Sequence, residues 1–292
     1  MQPVLSAASA YRGREMIEVI EQGSWIHYTN RLNETELISQ TMFLSTYYEC
    51  SATLVVKSKG FEITQAYYSV HRCKDRSKRI EESIPELIGG SGKLSGAKAV
   101  KGLKDFGDDG KVKELLIECI RGLDQTETYL MEEIGAKTRE DVELIWQVGK
   151  EDYCRPHYKE WPPIGEWSAH IEAYEHNRTK NYYNKTKTYT IIKRNDSTVE
   201  AFGVYNDSFH EMRCEITFNL TDRIISDFDT IIFRAPHYRC LEMMHAEVNS
   251  FIGKSIDKFD KREVGKILGG GPGCFHLVDI VANITTAVIE RG

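Results

Sequence analysis

The sequence predicts an α+β protein of two tandem related units, each an antiparallel sheet followed by helices packed on one face. Three observations carry this expectation. Runs rich in β-branched and aromatic residues, bounded by Asn, Asp and Ser, recur as strand candidates. Apolar residues at helical spacing follow those runs instead of alternating with them. Finally, the stretch from Trp25 to Cys73 is echoed by Tyr189 to Cys240, about 162 residues downstream.

The first unit, residues 1–148, carries an Arg31-Leu32-Asn33 element, an apolar run, the aromatic pair before Glu49, and an alternating pattern that closes on His71 and Cys73. Leu87 to Gly90 and the Phe106 to Gly110 loop come next, and a helix is expected after that loop. The second unit, residues 188–292, repeats the order with Arg194-Asn195, Glu211, His237 and Cys240. Its expected strands are Thr188 to Lys193, Val199 to Tyr205, Met212 to Leu220 and Ile224 to Phe233. Its expected helices are Cys240 to Ile252, Lys261 to Leu268 and Gly273 to Glu290. In the last helix Leu277, Val281, Ile284 and Val288 recur at helical spacing, so one face packs on the sheet.

Residues 149–187 read as a connector containing Trp161 and Trp167 together with Pro156, Pro162 and Pro163. That much aromatic surface is rarely left in water, so its first half is expected to pack on the units. Its polar second half, HNRTKNYYNKTK, is expected to be exposed.

Composition narrows the function classes. The 292 residues, 41% hydrophobic, are enough for a substantial core. With 38 Lys and Arg against 44 Asp and Glu, a net of −6 gives no electrostatic case for nucleic acid or an acidic membrane. The expected partners are small molecules, metals or proteins, including a second copy of the chain. No secretory leader and no bilayer-length apolar run is legible, and the cysteines at 50, 73, 119, 154, 214, 240 and 274 are scattered, which points to free thiols in the cytoplasm.

The richest stretch is Gly-Gly-Gly-Pro-Gly-Cys-Phe-His-Leu, from Gly269 to Leu277. It reads as a glycine-rich loop that brings a thiol and an imidazole to the start of the terminal helix. Gly270 and Gly273 would let the backbone approach a bound cofactor, and exposed N–H groups at the helix start would favour the thiolate of Cys274, a candidate catalytic nucleophile. Residues two apart in a helix point about 200° apart, so Cys274 and His276 can pair directly only if one lies in the loop.

Cys240, Cys274, His276 and His210 form the candidate metal set, since thiolate and imidazole suit zinc or iron. The bland alternative for His210 or His237 is a turn cap. His210 and Glu211 precede a strand and must face opposite sides. Glu211 has a counterpart in Glu49, whereas Tyr48 replaces His210, and the first unit shows Lys111 and Lys113 near the position of Cys274 and His276. Cys154 with His157 is a looser ligand pattern, and no phosphate-binding glycine motif occurs.

From about Tyr189 to Ile289 these residues resemble the uncharacterised bacterial domain-of-unknown-function family 2889. The resemblance rests on His210 with Glu211 in place of Asp, on Cys240, and on Gly270, Gly273, Cys274, His276 and Leu277 with Phe275 in place of Thr. The N-terminal unit then looks like a diverged second copy. A fainter likeness, in the order of strands, a Cys opening a helix and a late loop with Cys and His, is to iron–sulfur scaffold proteins of the IscU or NifU N-terminal type.

The expected function is a cytoplasmic protein binding zinc, iron or an iron–sulfur cluster in its C-terminal unit. One alternative is a cysteine- or metal-dependent enzyme acting on a small acid or acyl thioester. Another is a non-catalytic, pseudo-symmetric partner of a larger enzyme.

Overall fold

A computed structural model describes residues 17–73, 80–104, 106, 110–138, 141, 144–145, 152, 154–160, 178–242 and 245–290. Among them, strands β1 (Glu18–Arg31), β2 (Glu36–Ser45), β3 (Glu49–Lys57), β4 (Ile63–Arg72) and β5 (Ile80–Ser83) precede β6 (Asn181–Lys193), β7 (Thr198–Asp207), β8 (Glu211–Asn219) and β9 (Ile225–Arg234). They form one antiparallel sheet in the order β5-β4-β3-β2-β1-β6-β7-β8-β9. Alternate residues are buried along β2 and β8, the pattern of strands with one covered face.

Helices lie on that face. The short α1 (Ala97–Lys101) precedes α2 (Lys111–Gln125), which packs on β1, β2 and β3, and α3 (Met131–Ile134) follows. In the second half α4 (Tyr238–Leu241), α5 (His245–Asn249) and α6 (Lys261–Leu268) lead to α7 (Phe275–Ile289), which packs on β6, β7 and β8. Asp260 opens α6 as its N-cap, accepting the Glu263 amide at 2.8 Å.

Two expectations need correction. The halves do not hold separate sheets: β1 and β6 pair over most of their length, with Gly23 opposite Tyr189 and Trp25 opposite Lys187, and a single apolar cluster runs from Trp25 to Val288. In addition, β6 begins at Asn181, inside the tract expected to be exposed, and Lys185 and Lys187 are among its most buried side chains. Carboxylates on the two main helices explain this. Lys187 Nζ lies 2.8 Å from Asp279 of α7, and Lys185 bonds Glu118 of α2, which Arg121 also meets at 2.5 Å. Burial of a cation is tolerated where a carboxylate neutralises it.

The expected helix from Cys240 to Ile252 is two short pieces, α4 and α5. Trp161 and Trp167 lie outside the described residues. Among the described residues no helix is long and apolar enough to cross a membrane.

Several local features recur at fixed spacing. The Asp207 amide donates to the His210 carbonyl at 2.9 Å in the turn between β7 and β8, as the Ser45 amide does to Tyr48 at 2.8 Å between β2 and β3. Arg234 caps carbonyls of Asp207 and His210, and Arg72 caps those of Ser45 and Tyr48. Pairing shifts occur at Glu49/Cys50 and again at Glu211/Met212. Both α2 and α7 have 15 residues.

Candidate metal centre

Asp207 ends β7, and the two residues after it, Ser208 and Phe209, turn the chain into β8. An aspartate at this position can fold its carboxylate back over the turn and accept the following amides. Asp207 Oδ1 takes the Phe209 amide at 2.7 Å and the His210 amide at 2.6 Å. Its Oδ2 takes the hydroxyls of Tyr183 at 2.9 Å and Tyr205 at 3.0 Å, which reach it from β6 and β7.

His210 Nδ1 lies 3.1 Å from Asp207 Oδ1. Burial opposes the charge of Asp207, but His210 and the converging donors hold its carboxyl well below the usual carboxylate range. An ionised carboxylate only accepts, so Nδ1 of His210 carries the proton and donates, and Nε2 is directed away from Asp207. His276, in the first turn of α7, completes the group. Its ring lies 3.9 Å from that of His210 and 4.9 Å from that of Tyr205, centroid to centroid. Burial, reinforced by His210, pushes its pKa down to about 3, so it is a neutral imidazole at pH 7.

Ligand atoms of Asp207, His210 and His276 all lie within 4.8 Å of one another, a His-His-Asp group that could hold a metal ion. His210 is buried and Glu211 faces outward, as expected for neighbours entering a strand.

Of the four predicted ligands, the two histidines meet with Asp207. Cys240 lies close to Cys154 and Cys274: burial, then Cys154, then Cys274 push its thiol up. Cys274 occupies the N-cap of α7, where amides of Leu277 and His276 favour its thiolate, yet burial outweighs them and raises its pKa.

Gly270 and Gly273 have internal tasks. Gly270 takes a left-handed φ of 76°, and a Cβ on Gly273 would lie 2.3 Å from the Leu268 carbonyl oxygen. The loop closes on itself through Gly273 to Gly270 at 3.0 Å and Cys274 to Leu268 at 2.8 Å, and Arg155 binds its outer carbonyls at Gly273 and Pro272. Segment 154–158 thus packs against the loop. His237 is the turn cap of the bland reading: its Nδ1 accepts the Arg239 amide at 3.1 Å.

Asp207 is absent from the ligand set the sequence suggests; its one linear signal is an Asp three residues before a His across a strand turn.

Residues 182–290 match the model of the family described as "Protein of unknown function (DUF2889)". The match begins within β6 and ends one residue past α7, so it contains Asp207, His210, Cys240, Cys274 and His276. No curated protein and no solved structure gives a match.

Proposed function

We propose that the C-terminal half binds a single divalent transition ion, zinc or iron, at His210 and His276. The observation that carries this reading is the His-His-Asp group with ligand atoms within 4.8 Å. His210 Nε2 and a ring nitrogen of His276 are the direct ligands, and Asp207 is the positioning residue that fixes the His210 tautomer, the carboxylate–histidine–metal pattern. Two protein ligands leave positions open to water or to a small acid, as in sites where the ion acts as a Lewis acid. A mononuclear ion with nitrogen ligands is favoured over an iron–sulfur cluster because the group of ligand atoms within 4.8 Å of one another holds imidazoles and a carboxylate and no thiol.

The halves are also read as two copies of one unit. The supporting features are the matched turns, the paired arginines Arg72 and Arg234, the matched pairing shifts and the equal helices. In that register Ser45 and Tyr48 stand for Asp207 and His210, so the N-terminal copy has the turn without those ligands.

Zinc titration of metal-free protein tests the site. His210→Ala and His276→Ala should each abolish saturable binding, while Cys240→Ser leaves it intact; binding that follows the cysteine and ignores both histidines would refute this assignment.

A further inference from the structure

Four of the cysteines, Cys50, Cys73, Cys119 and Cys214, are buried, while Cys154, Cys240 and Cys274 are partly exposed. The three exposed ones are drawn to one place by Arg155. Its amide donates to the Gly273 carbonyl at 2.9 Å, directly before Cys274 in the chain. Its Nη1 donates to the Glu242 carbonyl at 2.9 Å, two residues after Cys240, and Cys154 immediately precedes it. The helical turn Arg155–His157 also packs on α4, which contains Cys240.

The three thiols are not spaced for one ion. Among the described residues only Asp207, His210 and His276 bring three ligand atoms within 4.8 Å of one another. A pairwise reaction is what the placement allows. Cys274 is tied down: it is the N-cap of α7, its amide donates to the Leu268 carbonyl at 2.8 Å, and it packs against the apolar core. Cys154 caps a three-residue turn and Cys240 lies in the four-residue α4. Such short elements can shift far enough to reach the S–S bond length of about 2.05 Å.

We infer that Cys154 and Cys240 are a peroxide-sensitive thiol pair that closes to a reversible disulfide and clamps segment 154–158 onto α4. The Cys154 thiolate attacks one oxygen of hydrogen peroxide, the O–O bond breaks, and hydroxide leaves to take up the proton that Cys154 released, giving water and a sulfenic acid. The Cys240 sulfur then attacks the sulfenic sulfur, the S–O bond breaks, and the hydroxyl departs with the Cys240 proton as a second water. Two electrons pass from the two thiols to the peroxide. Burial, then Cys154 and Cys274, hold Cys240 as the thiol, which makes it the resolving member. The pair shares no residue with the His210–His276 group, so the two readings stand or fall separately.

Peptide mapping by mass spectrometry of the reduced, metal-free full chain tests it, after brief treatment with hydrogen peroxide at neutral pH. The free-thiol count should fall by two from seven, with a Cys154–Cys240 cross-linked peptide that dithiothreitol removes. Cys274→Ser and His210→Ala should form the same link. Cys240→Ser should form none and leave a Cys154 sulfenic acid that dimedone traps. Because the fold supplies the proximity, the wild-type link should form at least about ten-fold faster in the native chain than in urea. No cross-link, a link from Cys240 to Cys274 in place of Cys154, or an equal rate in urea would overturn the inference.

Discussion

Asp207 concentrates the chemistry of the C-terminal half in one carboxylate, which accepts two tyrosine hydroxyls, two amides and an imidazole. Replacing it with asparagine keeps the shape but puts an amide where an acceptor is needed, so Asp207→Asn should lower zinc affinity by about 10–100-fold. Equilibrium dialysis against zinc measures the change. His27 is the buried histidine of the other half, hydrogen-bonded to Thr41 at 2.7 Å and Thr29 at 3.0 Å. Burial, then Lys185, hold its pKa well below the ordinary value, with Glu118 opposing. It is neutral when folded and protonates near pH 6.5 when unfolded, so its contribution is complete above that pH and is lost as pH falls. Between pH 7 and 5 that loss is about 2 kcal/mol. Urea unfolding at both pH values should show a His27→Asn variant losing about 2 kcal/mol less than the wild type over that interval. At this scale His210 and His276 were legible as ligand types, but which side chains meet was not, because their neighbours arrive from β6 and β7.

The elements β6 and α7 show why part of the architecture escaped sequence reasoning. α7 carries helical spacing at Leu277, Val281, Ile284 and Val288, and both it and α6 fall where expected. β6 does not advertise itself: Asn181 to Lys187 reads as a polar tract, and only tertiary partners make its lysines core residues. Glu118 and Asp279, which neutralise them, sit about 65 and 90 positions away in the chain. Lys187→Met should therefore destabilise the fold by about 3–5 kcal/mol, because Asp279 is left buried without its main counter-charge. The double variant Lys187→Met/Asp279→Leu should recover most of that loss in thermal unfolding. If the single variant were as stable as the wild type, the seam between α2 and α7 would not need its ion pairs.

At the scale of the whole molecule, one sheet of nine strands replaces the two expected sheets, because β1 and β6 each supply the edge the other lacks. The echo between Trp25–Cys73 and Tyr189–Cys240 was visible as matched residues, yet nothing in a linear pattern says that the first strands of two units will pair. The same arrangement brings Lys185 and Lys187 beneath both helices, where Glu118 and Asp279 neutralise them. The site itself lies wholly within residues 182–290, the span matched by the family model. Cobalt(II) titration of the metal-free full chain is the most direct measurement. The account predicts a visible spectrum of nitrogen and oxygen ligation that disappears in His210→Ala and in His276→Ala and persists in Cys240→Ser. A thiolate charge-transfer band lost with Cys240, or no binding at all, would contradict it.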